Sequence, residues 1–456
     1  MAHDLVVRGG TVCTPAGLLR ADVAVDAGVV TAVEAGAATG REEVDAGGML
    51  VLPGGIDAHV HSRDPGFPEK EDFASLTAAA AAGGITTVVD MPNTVPAVEH
   101  AAAFQEKVEL VSSRALVDFG LWGLLGARST REDVEGLLDA GAVGLKAYLG
   151  YAIRRANRQV VYTPDLDDAE LEAPADYGTV ARLAPDLARR GAPLAVHCED
   201  PGILRAFHRP LHGYRDLLAS RPALAEAVAI AALGVISQRT GLEVQVVHLS
   251  SGLGLAAARE ASRAGARLVL ETCPQYLLLT DEDAERVGPA AKMYPAIRTA
   301  ADRAALREAL AGGRIARVGT DHAPHADAEK LGRSWEDALP GSPGVQTLYL
   351  SCLDLARERG DVAAAARWVA EGPARTLGLH PRKGAIAPGA DADLVLVDPA
   401  AETAVAPEAM WSRQRHGALE GRRFGFAVRA VYARGELVAR DGQPTGRAGR
   451  GRLVRR

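Results

Sequence analysis

Ile56-Asp57-Ala58-His59-Val60-His61-Ser62-Arg63 closes an apolar run that begins at Met49. Side chains alternate faces along a strand, so His59 and His61 point the same way. Two imidazoles on one face at a strand end are a candidate ligand pair for one metal ion. A His-x-His alone is a weak signal, because two solvated loop histidines spell the same pattern. The pattern returns downstream, where lone polar residues end apolar runs at Lys146, His197, His248 and Asp321.

Apolar β-type runs occupy residues 50–59, 85–91, 119–125, 142–149, 193–199, 242–250, 266–274 and 316–321. Between them lie Ala-rich segments long enough for helices, for example 73–82, 131–140 and 303–311. Continuous apolar strands alternating with helices predict a parallel sheet covered on its outer face. Eight such units predict an α/β fold, a (β/α)8 TIM barrel over residues 51–380, with the active site at the C-terminal ends of its strands. The candidate ligands all fall at those ends. Residues 1–50 carry short β-type runs broken by Gly9-Gly10 and Asp26-Ala27-Gly28, and the same texture returns over 381–445. The two chain ends therefore predict one small flanking β-sandwich domain. The Arg-rich residues 446–456 read as a basic, solvated tail. Residues 154–175 have weak periodicity and read as a loop over the site.

The chain has 456 residues, 48% of them hydrophobic, enough for a substantial core and more than one structural unit. Its net charge of −7 argues against a nucleic-acid partner. No apolar run is long enough to span a bilayer, and the first residues lack a basic region followed by an apolar stretch. Cys13, Cys198, Cys273 and Cys352 are too scattered for a disulfide frame or a thiolate zinc site, which points to a cytoplasmic protein. Cys198 and Cys273 read as small packing residues. No Gly-x-Gly-x-x-Gly or Gly-Lys-Ser/Thr phosphate loop supports a nucleotide-binding reading.

Four histidines and a carboxylate suit zinc or a similar divalent ion. Lys146 is the odd member, since Ala142-Val143-Gly144-Leu145-Lys146-Ala147-Tyr148-Leu149 offers it no surface. A buried ammonium is costly and its pKa falls. A salt bridge, snorkelling to the strand end, or reaction of the neutral amine with carbon dioxide would each relieve it. The last gives a carbamate whose two oxygens can bridge two cations.

Here the residues match a family. The chain resembles the cyclic amidohydrolases of the amidohydrolase superfamily: dihydroorotases, allantoinases and hydantoinases. The likeness covers nearly the whole chain. It rests on His59-Val60-His61, Gly83-Gly84-Ile85-Thr86-Thr87-Val88-Val89-Asp90-Met91-Pro92-Asn93, Gly144-Leu145-Lys146 and Val196-His197-Cys198-Glu199. Further along it rests on Val247-His248-Leu249-Ser250-Ser251 and Gly319-Thr320-Asp321-His322-Ala323-Pro324-His325. The resemblance implies two divalent metal ions, zinc by expectation. His59, His61 and Asp321 would hold one and His197 and His248 the other, with carbamylated Lys146 between them. It implies hydrolysis of a cyclic amide, with Asp321 carrying the proton from water to the leaving nitrogen. It also implies a homo-oligomer, a dimer or tetramer.

For the substrate, the resemblance to dihydroorotases assigns Arg63, Asn93 and His325 to a ring carboxylate, a good match for a guanidinium. The expected reaction is thus dihydroorotase-like. Allantoinase or hydantoinase is the alternative, because Glu271-Thr272-Cys273-Pro274-Gln275-Tyr276 and Ala219-Ser220-Arg221-Pro222 resemble those enzymes more closely. Tyr151 stands where hydantoinases place a ring-contacting tyrosine. Tyr294 and Ala296 depart from the family's Pro-Pro stretch and predict a narrower pocket. A metal-free scaffold protein of the same fold is the competing class.

Overall fold

Each of the eight apolar runs contains a strand, and the strands are parallel. The structure, a computed structural model, describes residues 2–162 and 168–456. Gly55–Val60, Ile85–Asp90 and Asp118–Leu121 form one parallel sheet. Gly123–Leu124, Leu145–Tyr148, Leu194–His197, Glu243–Val246, Arg267–Thr272 and Arg317–Val318 form a second. Only Trp122 separates Leu121 from Gly123, and Val143 N still donates to Leu121 O at 3.1 Å. At the other end, Val60 bridges His322 in parallel and His61 N donates to His322 O at 2.8 Å. The two sheets are thus joined at both margins. Their strands are buried on both faces, as continuous apolar runs require.

Helices return the chain between strands, and their starts are legible in the sequence. Asp72 caps Phe73–Ala82 with a reciprocal bond to Ser75, and Thr130 caps Arg131–Ala140 with Asp133. Thr299 and Asp302 start Ala300–Ala311 in the same way, three residues earlier than the expected 303. Among the described residues, Tyr214–Thr240 is the one helical segment long and apolar enough to cross a membrane, and half of its most apolar window is buried. It packs against Tyr177–Arg189 and Gly252–Arg263.

Both chain ends meet in a nine-stranded sheet. Its order runs from Gln443–Pro444 through Glu436–Arg440, Ala427–Ala433, Leu394–Asp398, Leu50–Pro53, His3–Thr14 and Gly17–Asp26 to Val29–Glu34, with Gly40–Asp45 also paired to His3–Thr14. One expectation changes here. Residues 50–53 belong to this sheet, paired to 394–397, and the first strand of the parallel sheet starts only at Gly55. The expected run 50–59 is therefore two strands in two sheets. Its apolar face continues through the break, so hydrophobicity alone does not mark it. Lys383, fully buried, pins this sheet to the parallel one through Asp118 at 2.8 Å, Asp391 at 3.0 Å and Asp393 at 2.8 Å.

The C-terminal residues also differ from expectation. They are basic but not a solvated tail. Val454 N donates to Phe119 O at 2.7 Å, and Phe119 N donates to Arg452 O at 3.0 Å. Val454 is buried in one apolar cluster with Ile56, Val89, Trp122, Val143 and Ala195, residues of five parallel strands or their margins. Apolar Leu453 and Val454, set between arginines, carry the burial signal. The segment read as a loop also holds structure: Ala152–Arg154 pairs antiparallel with Val160–Val161 and with Leu171–Glu172. Residues 163–167 of that expected loop lie outside the described residues.

Candidate functional site

His59, His61, Lys146, His197, His248 and Asp321 all line one cavity at the C-terminal ends of the parallel strands. Local sequence places them there. Asp57 accepts from Thr320 N at 3.1 Å and from His59 N at 3.2 Å, so it fastens the first strand end to the segment that carries Asp321. Burial raises its pKa to about 7, against the pull of those bonds. Gly144 lets the Lys146 strand press inward, since a Cβ there would stand 2.6 Å from Pro193 O and 2.8 Å from the Trp122 ring. Arg63, His248 and Asp321 have φ of 59°, 44° and 52°, in the left-handed region that costs a non-glycine residue roughly 1–3 kcal/mol. Such strain gathers where side chains must be aimed.

The imidazoles are aimed by bonds to their outer nitrogens. His59 Nδ1 donates to Glu271 at 2.8 Å, and Arg317 Nε holds that carboxylate at 2.7 Å. His61 Nδ1 donates to Asn93 Oδ1 at 2.6 Å. With Nδ1 protonated in each, the Nε2 atoms present lone pairs, and both face Asp321 Oδ1, at 3.3 Å and 3.0 Å. One ligand atom from each of the three residues lies within 4.8 Å of the others. On the far side, His197 Nε2 donates to Glu199 at 2.7 Å, so its Nδ1 faces His248 Nε2, 2.9 Å away. The His59 and His248 rings stand 5.4 Å apart between the two groups.

Burial pushes His61 down to about 4 and His248 well below the imidazole range, and lowers His197 as well. Burial works to raise Asp321, but positive charge at this point, on His59, His61 or Lys146, holds the carboxylate near 2. Imidazole nitrogens and a carboxylate converging on one point fit a divalent cation. Lys146 Nζ is buried and without a hydrogen-bond partner among the described residues, as is His248 Nδ1. Burial lowers Lys146 to about 8, against the opposing pull of Asp321 and Glu271. The neutral form of the amine, accessible at such a value, is the form that takes up carbon dioxide, and the Tyr148 ring, 5.0 Å away, is its one cation–π contact among the described residues. The donor set therefore fits two cations with a modified lysine between them.

The structure divides the expected substrate residues. Arg63 and Tyr151 line the cavity. Asn93 and His325 are not among its lining residues: Asn93 Oδ1 is taken by His61, and His325 Nε2 lies 3.0 Å from Pro340 O and 3.3 Å from Arg63 Nη2. Tyr148, Tyr162 and Tyr294 complete an aromatic wall that sequence reasoning had not assembled. Tyr151 lies 4.5 Å from the His197 ring, centroid to centroid. Glu199 and Glu271 were also missed as supports, although each is a charged residue inside an apolar run, the same signal that singled out Lys146. His322 faces away from the cavity, toward buried Glu71 at 3.3 Å.

Glu199 is the support of His197 and is itself gripped by Arg221, with Nε at 3.1 Å from Oε1. The Arg221 guanidinium also lies 3.7 Å from the Tyr294 ring centroid. Glu199→Gln keeps the size but removes the charge that orients the imidazole. Supports of this kind are worth about 10–100-fold in metal affinity. Titration with a chelator should show the loss in one metal equivalent per chain and leave the other unchanged; equal weakening of both would break the assignment.

Residues 50–438 match the amidohydrolase family. The chain is 38% identical to a protein named allantoinase from Rubrobacter xylanophilus, over 98% of this chain and 97% of that one. It is 33% identical to a dihydroorotase from Methanothermobacter thermautotrophicus, over 93% and 92%. Among solved structures it is similar to an L-hydantoinase (dihydropyrimidinase) from Arthrobacter aurescens, with a TM-score of 0.92, 29% identity and full coverage of both chains.

Proposed function

Since the chain belongs to the amidohydrolase family, we propose that it hydrolyses a ring amide bond of allantoin, opening a five-membered cyclic ureide. One observation carries this reading: five relatives named allantoinase match over nearly the whole of both chains at 34–38% identity, above the 33% of the dihydroorotase. The expected dihydroorotase-like reaction thus becomes the second reading, kept because the buried Arg63 guanidinium lines the cavity.

We read the two joined parallel sheets as one closed (β/α)8 barrel with the cavity at its C-terminal mouth. His59, His61 and Asp321 would hold one cation, His197 and His248 another, and carbamylated Lys146 both; zinc suits these donors. Such a pair supplies an activated water and polarises the scissile carbonyl. The chain does the rest. Asp321 accepts the proton of the attacking water and returns it to the leaving ring nitrogen. Tyr151 and Tyr148 cover the ring and exclude bulk water, and Arg63 with Tyr162 faces the ring substituent. The substrate is a small molecule. The four buried, free cysteines support a reducing, cytoplasmic setting. Exposed Leu224, Val228 and Val235 on one helix support self-association.

The test is ring opening by protein loaded with zinc in the presence of bicarbonate, using allantoin, dihydroorotate, dihydrouracil and hydantoin. Allantoin should show the highest kcat/KM, by about tenfold or more, equivalent to about 1.4 kcal/mol in the barrier. Opening of another ring with allantoin untouched would overturn the proposal.

A further inference from the structure

Tyr162 sits where the segment after Lys146 folds back over the cavity. The strands Ala152–Arg154, Val160–Val161 and Leu171–Glu172 hold it in place. Arg158 fixes them, donating to Glu99 twice at 2.8 Å and to Glu172 at 3.1 Å. The Tyr162 ring meets Tyr151 edge-on at 5.4 Å. Its hydroxyl accepts from Arg63 Nη1 at 2.8 Å and from Asn93 Nδ2 at 3.0 Å. Arg63 Nε donates to Pro324 O at 3.2 Å. Arg63 is 5% exposed and Asn93 8%, so neither side chain has room to turn elsewhere.

A phenolic hydroxyl with two hydrogen bonds accepted has its own proton left to donate. The cavity at this point therefore meets one neutral O–H. A carboxylate is recognised best by the paired donors of a guanidinium fork, and here Nη1 of that fork is engaged by Tyr162 and Nη2 lies 3.3 Å from His325 Nε2. A carbonyl oxygen of an amide or ureido group needs only the single donor.

We infer that Tyr162 determines substrate specificity: its hydroxyl occupies one donor each of Arg63 and Asn93 and selects a neutral carbonyl-bearing substituent over a carboxylate. The inference rests on the allantoin reading and deepens it. It also explains how a chain can carry dihydroorotase-type Arg63 and Asn93 yet suit an uncharged side group.

Tyr162→Phe keeps the ring against Tyr151 and removes only the hydroxyl. The ratio of kcat/KM for dihydroorotate to that for allantoin should rise about 10–100-fold, chiefly through KM. Orotate, a carboxylate-bearing ring, should bind about tenfold tighter by calorimetry, which needs no turnover. The Tyr162→Phe/Arg63→Met double variant should lose that gain. An unchanged ratio with unchanged orotate binding overturns the inference, while allantoin turnover by the wild type leaves the proposed function standing. A wild type that opens dihydroorotate and not allantoin overturns the proposed function. Tighter orotate binding in Tyr162→Phe would then still uphold the masking role of the hydroxyl.

Discussion

Lys146→Met should lose ring-opening activity and gain stability. The side chain is fully buried, and its ammonium has no hydrogen-bond partner among the described residues. Methionine is similar in length and apolar, so the replacement removes a desolvation penalty of about 1–3 kcal/mol from the metal-free protein. Urea unfolding with metal stripped should show a higher midpoint. With zinc and bicarbonate supplied, kcat/KM should fall about 10³-fold or more, since the several kcal/mol that the proposed cation pair would contribute would depend on Lys146 as its shared anionic ligand. Bound metal should drop from about two ions per chain toward one. Retained activity with two metals would show that Lys146 is only a buried structural residue. The opposite signs of the two effects matter, because a variant that merely unfolds would lose both.

Asp321→Asn should reduce kcat by about 10²–10⁴-fold, the range for removing a general acid–base group, with a much smaller change in KM. Asparagine suits the test because it tolerates the left-handed backbone that Asp321 adopts at φ 52°. The amide still reaches toward His61 but cannot take up the proton. Elemental analysis of the same preparation separates loss of proton transfer from loss of a ligand. Activity within tenfold of wild type would remove Asp321 from the reaction.

Much of this site was legible because strands impose strict rules. A parallel strand buried on both faces tolerates a polar residue only where the sheet ends or where chemistry requires one. His59, His61, Lys146, His197, His248 and Asp321 stood out for that reason. The aromatic wall was less legible, since the Tyr148–Tyr151 segment, Tyr162 and Tyr294 come from three separate places and converge through loop geometry. Asn93 shows a different limit. Its position after Met91-Pro92 announces a strand end, but whether its amide faces a ligand or His61 depends on a 2.6 Å contact that no spacing encodes. The split of residues 50–59 was hidden because both sheets demand the same apolar composition. Val454 was obscured by its arginine neighbours, which dominated the charge pattern while two apolar residues did the packing.

The nine-stranded sheet places Leu50–Pro53 beside Leu394–Asp398, positions separated by 341 residues in the chain. At synthesis rates of roughly 5–20 residues per second, the earlier strand waits about 17–70 s on the ribosome before its neighbour exists. During that interval its apolar edge is open to any passing β-strand, including that of a sister nascent chain. The enzyme's yield in a cell should therefore depend on chaperone supply and expression temperature well before its folded stability becomes limiting.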